Sequence, residues 1–370
     1  MEAFKRLHSA GQNLWMSHVS REQISNGSLM QYIEDGAVTG LSLSLQAVCH
    51  TLSSSSVYDD AICKKLDKAL FGESLAFDLI LEDIHHAAGL LWHVFDRTDG
   101  VDGWAALPLS PLLTCDPETL LQSVEALHAR VKWKNTLITI PGLPEMLRAI
   151  EEIVFAGIPI NISFIYSCDQ YLNVAEAYLC GVKRRIAAGL KPAVSVFTSI
   201  PVSQLAATLS KKMTPQEATR ASTLIARKIY KTMRTLHTSQ QWEQVYNVGA
   251  RILRPVWVVS DNESTTASDI SLCNNLVTPL TVAAMSERTM GEFVNHGPPE
   301  ALLLPDDYDL DAILAGQQEA GLSFKHLAGS LQDDAAASQI KTWITLLDVI
   351  ARKSADSVQI KSATMTTGEH

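Results

Sequence analysis

The stretch TLITIPGLPEMLRAIEEIVFAGIPINISFI, residues 136–165, decides the fold of this chain. It opens with a short run rich in β-branched residues, Thr136 to Ile140, which is typical of a strand. Pro144 then starts a segment whose apolar residues recur three and four apart, as in an amphipathic helix, and Gly157 ends it. Ile158 to Ile165 is a second β-rich run. Strand, helix and strand in this order predict parallel strands joined by a helix.

The same alternation continues on both sides of this stretch. Asp116 before Pro117, and Thr214 before Pro215, are typical helix starts, because Asp and Thr cap helices and Pro is tolerated at the first helical position. Further strands are predicted at Trp104–Leu109, Val194–Thr198 and Pro255–Val259, and further helices from Asp169 to Gly189 and from Thr214 to His237.

The number of units predicts an α/β protein built as a single (β/α)8 TIM barrel over residues 1–354, with a flexible tail at 355–370. An open doubly wound sheet would more often carry a glycine-rich phosphate turn. No G-x-G-x-x-G or Walker-type sequence is present, so we expect no nucleotide site of that kind.

Composition narrows the class of protein. The chain is 46% hydrophobic and 19% charged, with a net charge of −10. An acidic chain without a basic, aromatic-rich cluster is a poor match for a nucleic-acid partner. No apolar run reaches the roughly 18 residues of a membrane span, and the first residues lack the apolar core of a signal peptide. We therefore predict a cytoplasmic protein with no nucleic-acid or membrane partner.

Metal and thiol chemistry are not indicated. The six cysteines form no C-x-x-C pair, which is typical of reduced thiols, and we expect no metal and no cofactor. His85 and His86 beside Glu82 fit a solvated helix face better than a metal site. Cys168 follows a predicted strand, but no base for a cysteine nucleophile is evident in the sequence.

Several segments, in their order and spacing, resemble the transaldolase family, particularly its longer bacterial-type members. The segments are Gly11-Gln12-Asn13-Leu14-Trp15, Val38-Thr39-Gly40, Glu82-Asp83-Ile84, Asp96-Arg97-Thr98, Ser110-Pro111, Ile160-Asn161-Ile162-Ser163, Ala175-Glu176-Ala177-Tyr178, Trp257 and Asp309-Leu310-Asp311. The resemblance covers about residues 10 to 332 and implies a barrel that transfers a three-carbon ketol unit between sugar phosphates.

The resemblance breaks at the nucleophile. The family forms a Schiff base with a lysine on the fourth strand, since an iminium is the electron sink for breaking the C–C bond. The matching run here is Leu137-Ile138-Thr139-Ile140-Pro141, which places Thr139 at the lysine position. Lys132 and Lys134 lie upstream of that strand. The sequence therefore predicts a protein that is not a working Schiff-base transaldolase.

Other functional positions of the family have changed as well. Ser17 stands where the family has a proton-transfer aspartate, Ser44 where it has an asparagine, and Pro108 where it has a glutamate. The arginine that binds phosphate falls near Ile200, and the basic residue after the seventh strand falls in the acidic run of residues 260–263. The nucleophile, the proton-transfer carboxylates and the anion clamp are thus lost together.

We expect the carboxyl end of the barrel to form a nearly neutral, hydroxyl-rich pocket for an uncharged small molecule. The predicted substrate-binding residues are Trp15, Ser17, Ser44, Ser110, Asn161, Ser163, Ser195 and Phe197, and the catalytic candidates are His18, Asp261 and Thr139. His18 and Asp261 are candidate acids or bases. Serine and threonine at strand ends more often bond local backbone.

Three functions remain open from the sequence. The first is a repurposed enzyme of specialised metabolism that catalyses a non-covalent cyclisation, isomerisation or lyase step. The second is a non-catalytic binding or regulatory protein, and the third is a genuine transaldolase. The expected partners are a small-molecule ligand in the barrel mouth and, as a candidate assembly, a second copy of the chain.

Overall fold

The computed structural model describes residues 2–113, 116–259, 267–296 and 323–367. Its centre is a closed barrel of eight parallel strands in chain order, in which the last strand pairs with the first. The strands are β1 (Gln12–Ser17), β2 (Gly40–Ser42), β3 (Trp104–Pro108), β4 (Thr136–Pro141), β5 (Ile160–Ser163), β6 (Val196–Pro201), β7 (Arg254–Val259) and β8 (Thr281–Met285). The predicted fold, a single (β/α)8 TIM barrel, is confirmed.

Helices surround the barrel. They are α1 (Glu2–Ser9), α2 (Arg21–Ser25), α3 (Ser28–Glu34), α4 (Leu45–Ser54), α5 (Asp59–Leu66), α6 (Gly72–Arg97), α7 (Pro117–Arg130), α8 (Leu147–Ala156), α9 (Cys168–Ala187), α10 (Val202–Leu209), α11 (Pro215–His237), α12 (Gln240–Tyr246), α13 (Ala267–Asn275), α14 (Glu287–His296) and α15 (Phe324–Thr367). Within the described residues, no helix is long and apolar enough to cross a bilayer.

The helix starts largely follow the sequence signals. Asp116 caps α7 by accepting from the backbone N–H groups of its first turn, and Thr214 caps α11 in a capping box with Glu217. One start was predicted wrongly. Ser167, rather than Asp169, caps α9, because the Ser167 hydroxyl accepts from the Gln170 N–H.

The barrel interior is a small aromatic and aliphatic core, separate from the larger core between strands and helices. It contains Trp15, Trp104, Ala106, Leu137, Phe197, Val256, Val282 and Ala284. The rings of Trp15 and Phe197 lie 4.8 Å apart, and those of Trp104 and Phe197 lie 6.3 Å apart. This packing fills the barrel below its mouth, as side-chain layers do in barrels of this class.

The last helix runs beyond residue 354. α15 continues without a break past residue 354, where a flexible tail was predicted to begin, and reaches Thr367. Ser357, beyond that boundary, is buried, and Lys353 donates to the carbonyl of Ser55 and to the carboxylate of Asp59. α15 thus packs against α4 and α5.

Candidate functional site

A hydrogen-bonded chain of three side chains crosses the carboxyl half of the barrel interior. Ser199 Oγ donates to Asn161 Oδ1 at 2.9 Å, and Asn161 Nδ2 donates to Thr139 Oγ1 at 3.3 Å. Thr139 and Asn161 are direct partners in the β4–β5 register, which places both on the inner face. Ser199 and Asn161 are largely buried. The predicted Thr139 and Asn161 therefore come together, joined by Ser199.

Ser199 is missing from the sequence prediction, although a signal for it existed. It lies two residues after Phe197 on β6, so strand alternation puts both on the same face of the sheet. The neighbouring Ile200, near which the family's phosphate-binding arginine falls, points to the opposite face of the strand.

His18 and Ser44 form a second pair at the mouth. His18 follows β1 with a left-handed backbone, φ 57°, and its Nδ1 lies 2.9 Å from Ser44 Oγ. Ser44 also caps α4 by accepting from the Ala47 N–H. The hydroxyl is thereby fixed on the backbone, and it in turn orients the imidazole ring.

The pair opens onto a cavity of about 740 Å³ between β1, α2, α4 and the start of α14. The residues around it are almost all of polar types and include Ser17, His18, Glu22, His50, Glu287 and Arg288, although their carbon atoms form much of the exposed wall. Ser17 is buried, and its Oγ has no partner within the part of the chain that the structure describes. An unpaired buried hydroxyl beside a histidine is a natural point of contact for a bound polar group.

A family model described as "Transaldolase/Fructose-6-phosphate aldolase" matches residues 14–350. The chain belongs to this family. It is 27% identical to "Transaldolase 1" of Streptomyces avermitilis over 95% of both chains. It is 28% identical to "Transaldolase" of Thermobifida fusca, over 95% of this chain and 98% of that protein, and 28% identical to "Transaldolase" of Frankia alni, over 94% and 96% respectively.

The eight strands of this transaldolase-family barrel contain no lysine, and their only charged residue is Arg254 at the start of β7. Lys132 and Lys134 precede β4 and are exposed. Lys325, on the first turn of α15, is exposed as well. Among the described residues, no lysine side chain is therefore built into the barrel wall beside Thr139.

Two predicted hydroxyls are engaged by backbone groups, Ser110 within its own loop and Ser163 across to the neighbouring strand. Ser110 Oγ accepts from the Leu112 N–H at 3.3 Å, and Ser163 Oγ donates to the carbonyl of Ile140 at 3.1 Å. Both lie at strand ends near the mouth. The Ser110 contact shapes the loop after β3, and the Ser163 contact joins the end of β5 to the end of β4.

The structure places three further predicted residues, Ser195, Phe197 and Trp15, away from an open mouth. Ser195 precedes β6 and, with Phe197, lines a cavity at the amino ends of the strands, so neither lies at the mouth. The cause is strand position. A residue at the start of a parallel strand lies at the opposite end of the barrel from the loops that form the mouth.

Trp15 is 1% exposed and belongs to the interior core rather than to an open wall. Asp261 lies outside the described residues.

The amino end of α15 covers part of the mouth, a contact that the sequence did not predict. Gln332 on α15 is buried, and its Nε2 donates to the carbonyls of Gly142 and Phe164, both at 2.9 Å. These carbonyls follow β4 and β5. Gln170 Nε2 also donates to the carbonyl of Ala328 on the same helix. The amino end of α15 is thus fixed across the β4–β5 side of the mouth.

Neither metal nor disulfide chemistry emerges elsewhere in the described part of the chain. It contains no group of three His, Cys, Asp or Glu side chains arranged to hold a metal. His85 Nε2 accepts from the backbone N–H of Lys132, and burial lowers the pKa of this histidine. The described cysteines form no disulfide.

Proposed function

We propose that this transaldolase-family barrel catalyses a non-covalent acid–base reaction on an uncharged small molecule, of the cyclisation, isomerisation or lyase type. The observation that carries the proposal is Thr139 on the inner face of β4, in strands without a lysine. A hydroxyl cannot form an iminium with a ketone, so the donor chemistry of a Schiff-base transaldolase has no nucleophile there.

The charge of the mouth supports an uncharged substrate. Ile200, near the position where the resemblance implies a phosphate-binding arginine, is buried and apolar. Arg254 lies at the start of β7, the amino end of the barrel. Glu22, Glu287 and Arg288 give the cavity wall about one net negative charge, which disfavours a phosphate, whereas the Ser, Asn, Gln and His side chains around them suit hydroxyl groups.

His18 is the residue to which we assign proton transfer. Imidazole is the side chain that most often acts as an acid or base at neutral pH, and Ser44 holds this one in a single orientation. Ser17, which lines the same cavity as His18, would bind and orient the substrate. Asp261 stays a second candidate acid or base, and a homodimer and a cytoplasmic location stay predictions.

The first test is borohydride trapping with fructose 6-phosphate, read by intact-protein mass. We expect no added mass on the wild-type chain, while the relative named transaldolase from Thermobifida fusca serves as the positive control. Thr139→Lys is the companion variant, because it restores an amine at the position that the family uses. A covalent adduct on the wild-type chain would show that another lysine has taken over and would refute the proposal.

The second test separates a catalyst from a binder. Exchange of carbon-bound protons into deuterated water is followed by NMR across a panel of neutral polyols and cyclic ketones. His18→Asn is the informative variant, because Asn tolerates a positive φ, and it should slow exchange by about 10²-fold or more. His93→Asn, at an exposed position on α6 outside this cavity, is the matched control and should keep the rate.

A non-catalytic ligand-binding protein is the alternative. The Ser199–Asn161–Thr139 chain satisfies its own hydrogen bonds, so it could hold a ligand without moving a proton. Saturable binding of a neutral ligand by the wild-type chain, with no exchange and no effect of His18→Asn, would favour this function over the enzyme.

A further inference from the structure

A cavity of about 680 Å³ lies at the amino end of the barrel, opposite the mouth. Its walls come from the amino ends of β1, β6 and β7, the loop before β3 and the turn before β8. Since β3 lies across the barrel from β7, the cavity spans the barrel axis. Its volume is in the range that holds a small organic ligand.

The charged residues of this cavity wall form two Arg–Asp pairs, one shielded and one exposed. Arg254 Nη1 pairs with Asp102 at 2.9 Å, and the two side chains are only 11% and 14% exposed. Arg251 Nη2 pairs with Asp99, whose side chain is 98% exposed and therefore screened by water. The two pairs leave the wall close to neutral, so recognition of an anion would rest on the guanidinium donors that the pairs do not use.

Arg254 has an N–H donor that its ion pair does not use. Its Nη1 serves both the carbonyl of Val101 and Asp102, each at 2.9 Å. Its Nε is buried and has no hydrogen-bond partner among the residues that the structure describes. The planar guanidinium presents Nε and Nη2 along one edge, which matches the two oxygens of a carboxylate. An unpaired buried donor on a charged group indicates a missing acceptor.

The remaining walls are mainly apolar. Phe197 lies at the inner end, with its ring 5.5 Å from the Arg254 guanidinium carbon, and Ile252 lies beside it in the wall. Tyr246 and Leu280 stand at the rim and are 52% and 43% exposed. Large apolar side chains left open around a cavity are typical of a ligand site.

We propose that this amino-end cavity binds a singly charged, mainly apolar carboxylic acid, with its carboxylate on Arg254 and its ring or branched chain against Phe197 and Ile252. The unused edge of one guanidinium matches one carboxylate, and a phosphate dianion would leave charge unpaired against apolar walls. The site is separate from the mouth, so it binds a second ligand rather than the substrate.

The test is a titration of the full chain with phenylacetate, followed by calorimetry and by tryptophan fluorescence. Trp104 is a built-in reporter, because its Nε1 donates to the carbonyl of Gly100 in the cavity wall. Phenylacetamide, which has the same shape without the charge, and inorganic phosphate are the comparison probes. We expect saturable binding of phenylacetate and at least about 10-fold weaker binding of the other two.

Two variants locate the binding. Arg254→Gln combined with Asp102→Asn removes the charge without leaving Asp102 buried and unpaired, and it should weaken phenylacetate binding about 10-fold or more. Ser195→Phe fills the cavity and should abolish binding even if the paired variant does not fold. His18→Asn, at the opposite end of the barrel, is the control and should keep full affinity.

Three outcomes would overturn the proposal. They are the absence of saturable phenylacetate binding, equal binding of phenylacetamide or phosphate, and full binding in the Ser195→Phe variant. The first would leave the two Arg–Asp pairs as structural ties between the β3 and β7 sides of the barrel.

Discussion

At the residue scale, His237 is a half-buried histidine with shielded ring nitrogens, and the folded protein keeps it neutral. Its ring packs against Trp242 at 4.2 Å, and neither ring nitrogen has a partner in the described portion of the chain. Burial, with a smaller effect of Arg234, lowers the pKa of His237 to about 4 from an ordinary value of 6.5. Between these two values the unfolded chain binds a proton that the folded chain does not, so stability falls as the pH drops through this window.

We expect His237→Phe to remove part of this acid sensitivity. Lowering the pH from 7.5 to 5 should cost the wild type about 2 kcal/mol through His237, and the variant should lose about that much less. Urea unfolding at the two pH values measures the difference. His93→Gln, at an exposed histidine, is the control. An unchanged pH dependence in His237→Phe would mean that the ring is protonated in the folded state.

Gly40 is a position where any side chain would collide with the interior core. A Cβ atom there would lie 2.3 Å from Trp15 Nε1, and the Trp15 ring is 1% exposed with no room to withdraw. Gly40→Ala should therefore destabilise the protein by about 1–3 kcal/mol in chemical denaturation. Gly291→Ala meets no atom within 4 Å and should be neutral or slightly stabilising. Equal effects of the two would contradict the packing described for Trp15.

At the element scale, Gln332 fixes the start of α15 to the loops after β4 and β5. Gln332→Leu leaves two carbonyls without their donor and should cost about 1–3 kcal/mol. Hydrogen exchange should become faster in residues 323–335 before it does in the strands. Gln339→Leu, one heptad further along α15, is the matched control. No local change in exchange would show that apolar packing alone holds the helix.

The elements also show what strand and cap signals can predict. The start of α7 after Asp116 and both ends of α11 agree with prediction, because the cap and the following proline act within a few residues. The β5 run was predicted too long, and the structure assigns only Ile160–Ser163 as strand. An apolar run does not show where strand pairing stops, since that depends on the neighbouring strands.

At the scale of the whole molecule, Arg21 ties the first βα unit to α6 across more than sixty residues of sequence. It pairs with Asp83 at 2.5 Å and with Glu82 at 3.2 Å, and it stacks over Tyr58, whose hydroxyl donates to Asp83. Burial raises the pKa of Asp83 to about 6, although Arg21 opposes that shift. The carboxylate therefore depends on Arg21 to remain charged in the interior.

Arg21→Met should cost about 3–5 kcal/mol in the free energy of unfolding at pH 7.5, because it leaves Asp83 buried without its counterion. Adding Asp83→Asn should recover part of this loss. Arg184→Met is the control, since that arginine pairs with Glu151 and Glu152 on the surface and should cost under about 1 kcal/mol. Similar losses in Arg21→Met and Arg184→Met would contradict a special role for the buried pair.

The sequence by itself determined the barrel, most of its helix starts and the presence of Thr139 on β4, because these follow from local periodicity, capping and residue identity. Only the tertiary structure decided which polar side chains meet. It joined Ser199 to Asn161 and Thr139, placed His18 against Ser44, and brought Gln332 across the mouth from the far end of the chain. It also showed that Ser195 and Phe197 line the amino-end cavity beside Arg254 and do not lie at the mouth. Contacts between residues far apart in sequence depend on strand register and barrel closure, and no local pattern contains that information.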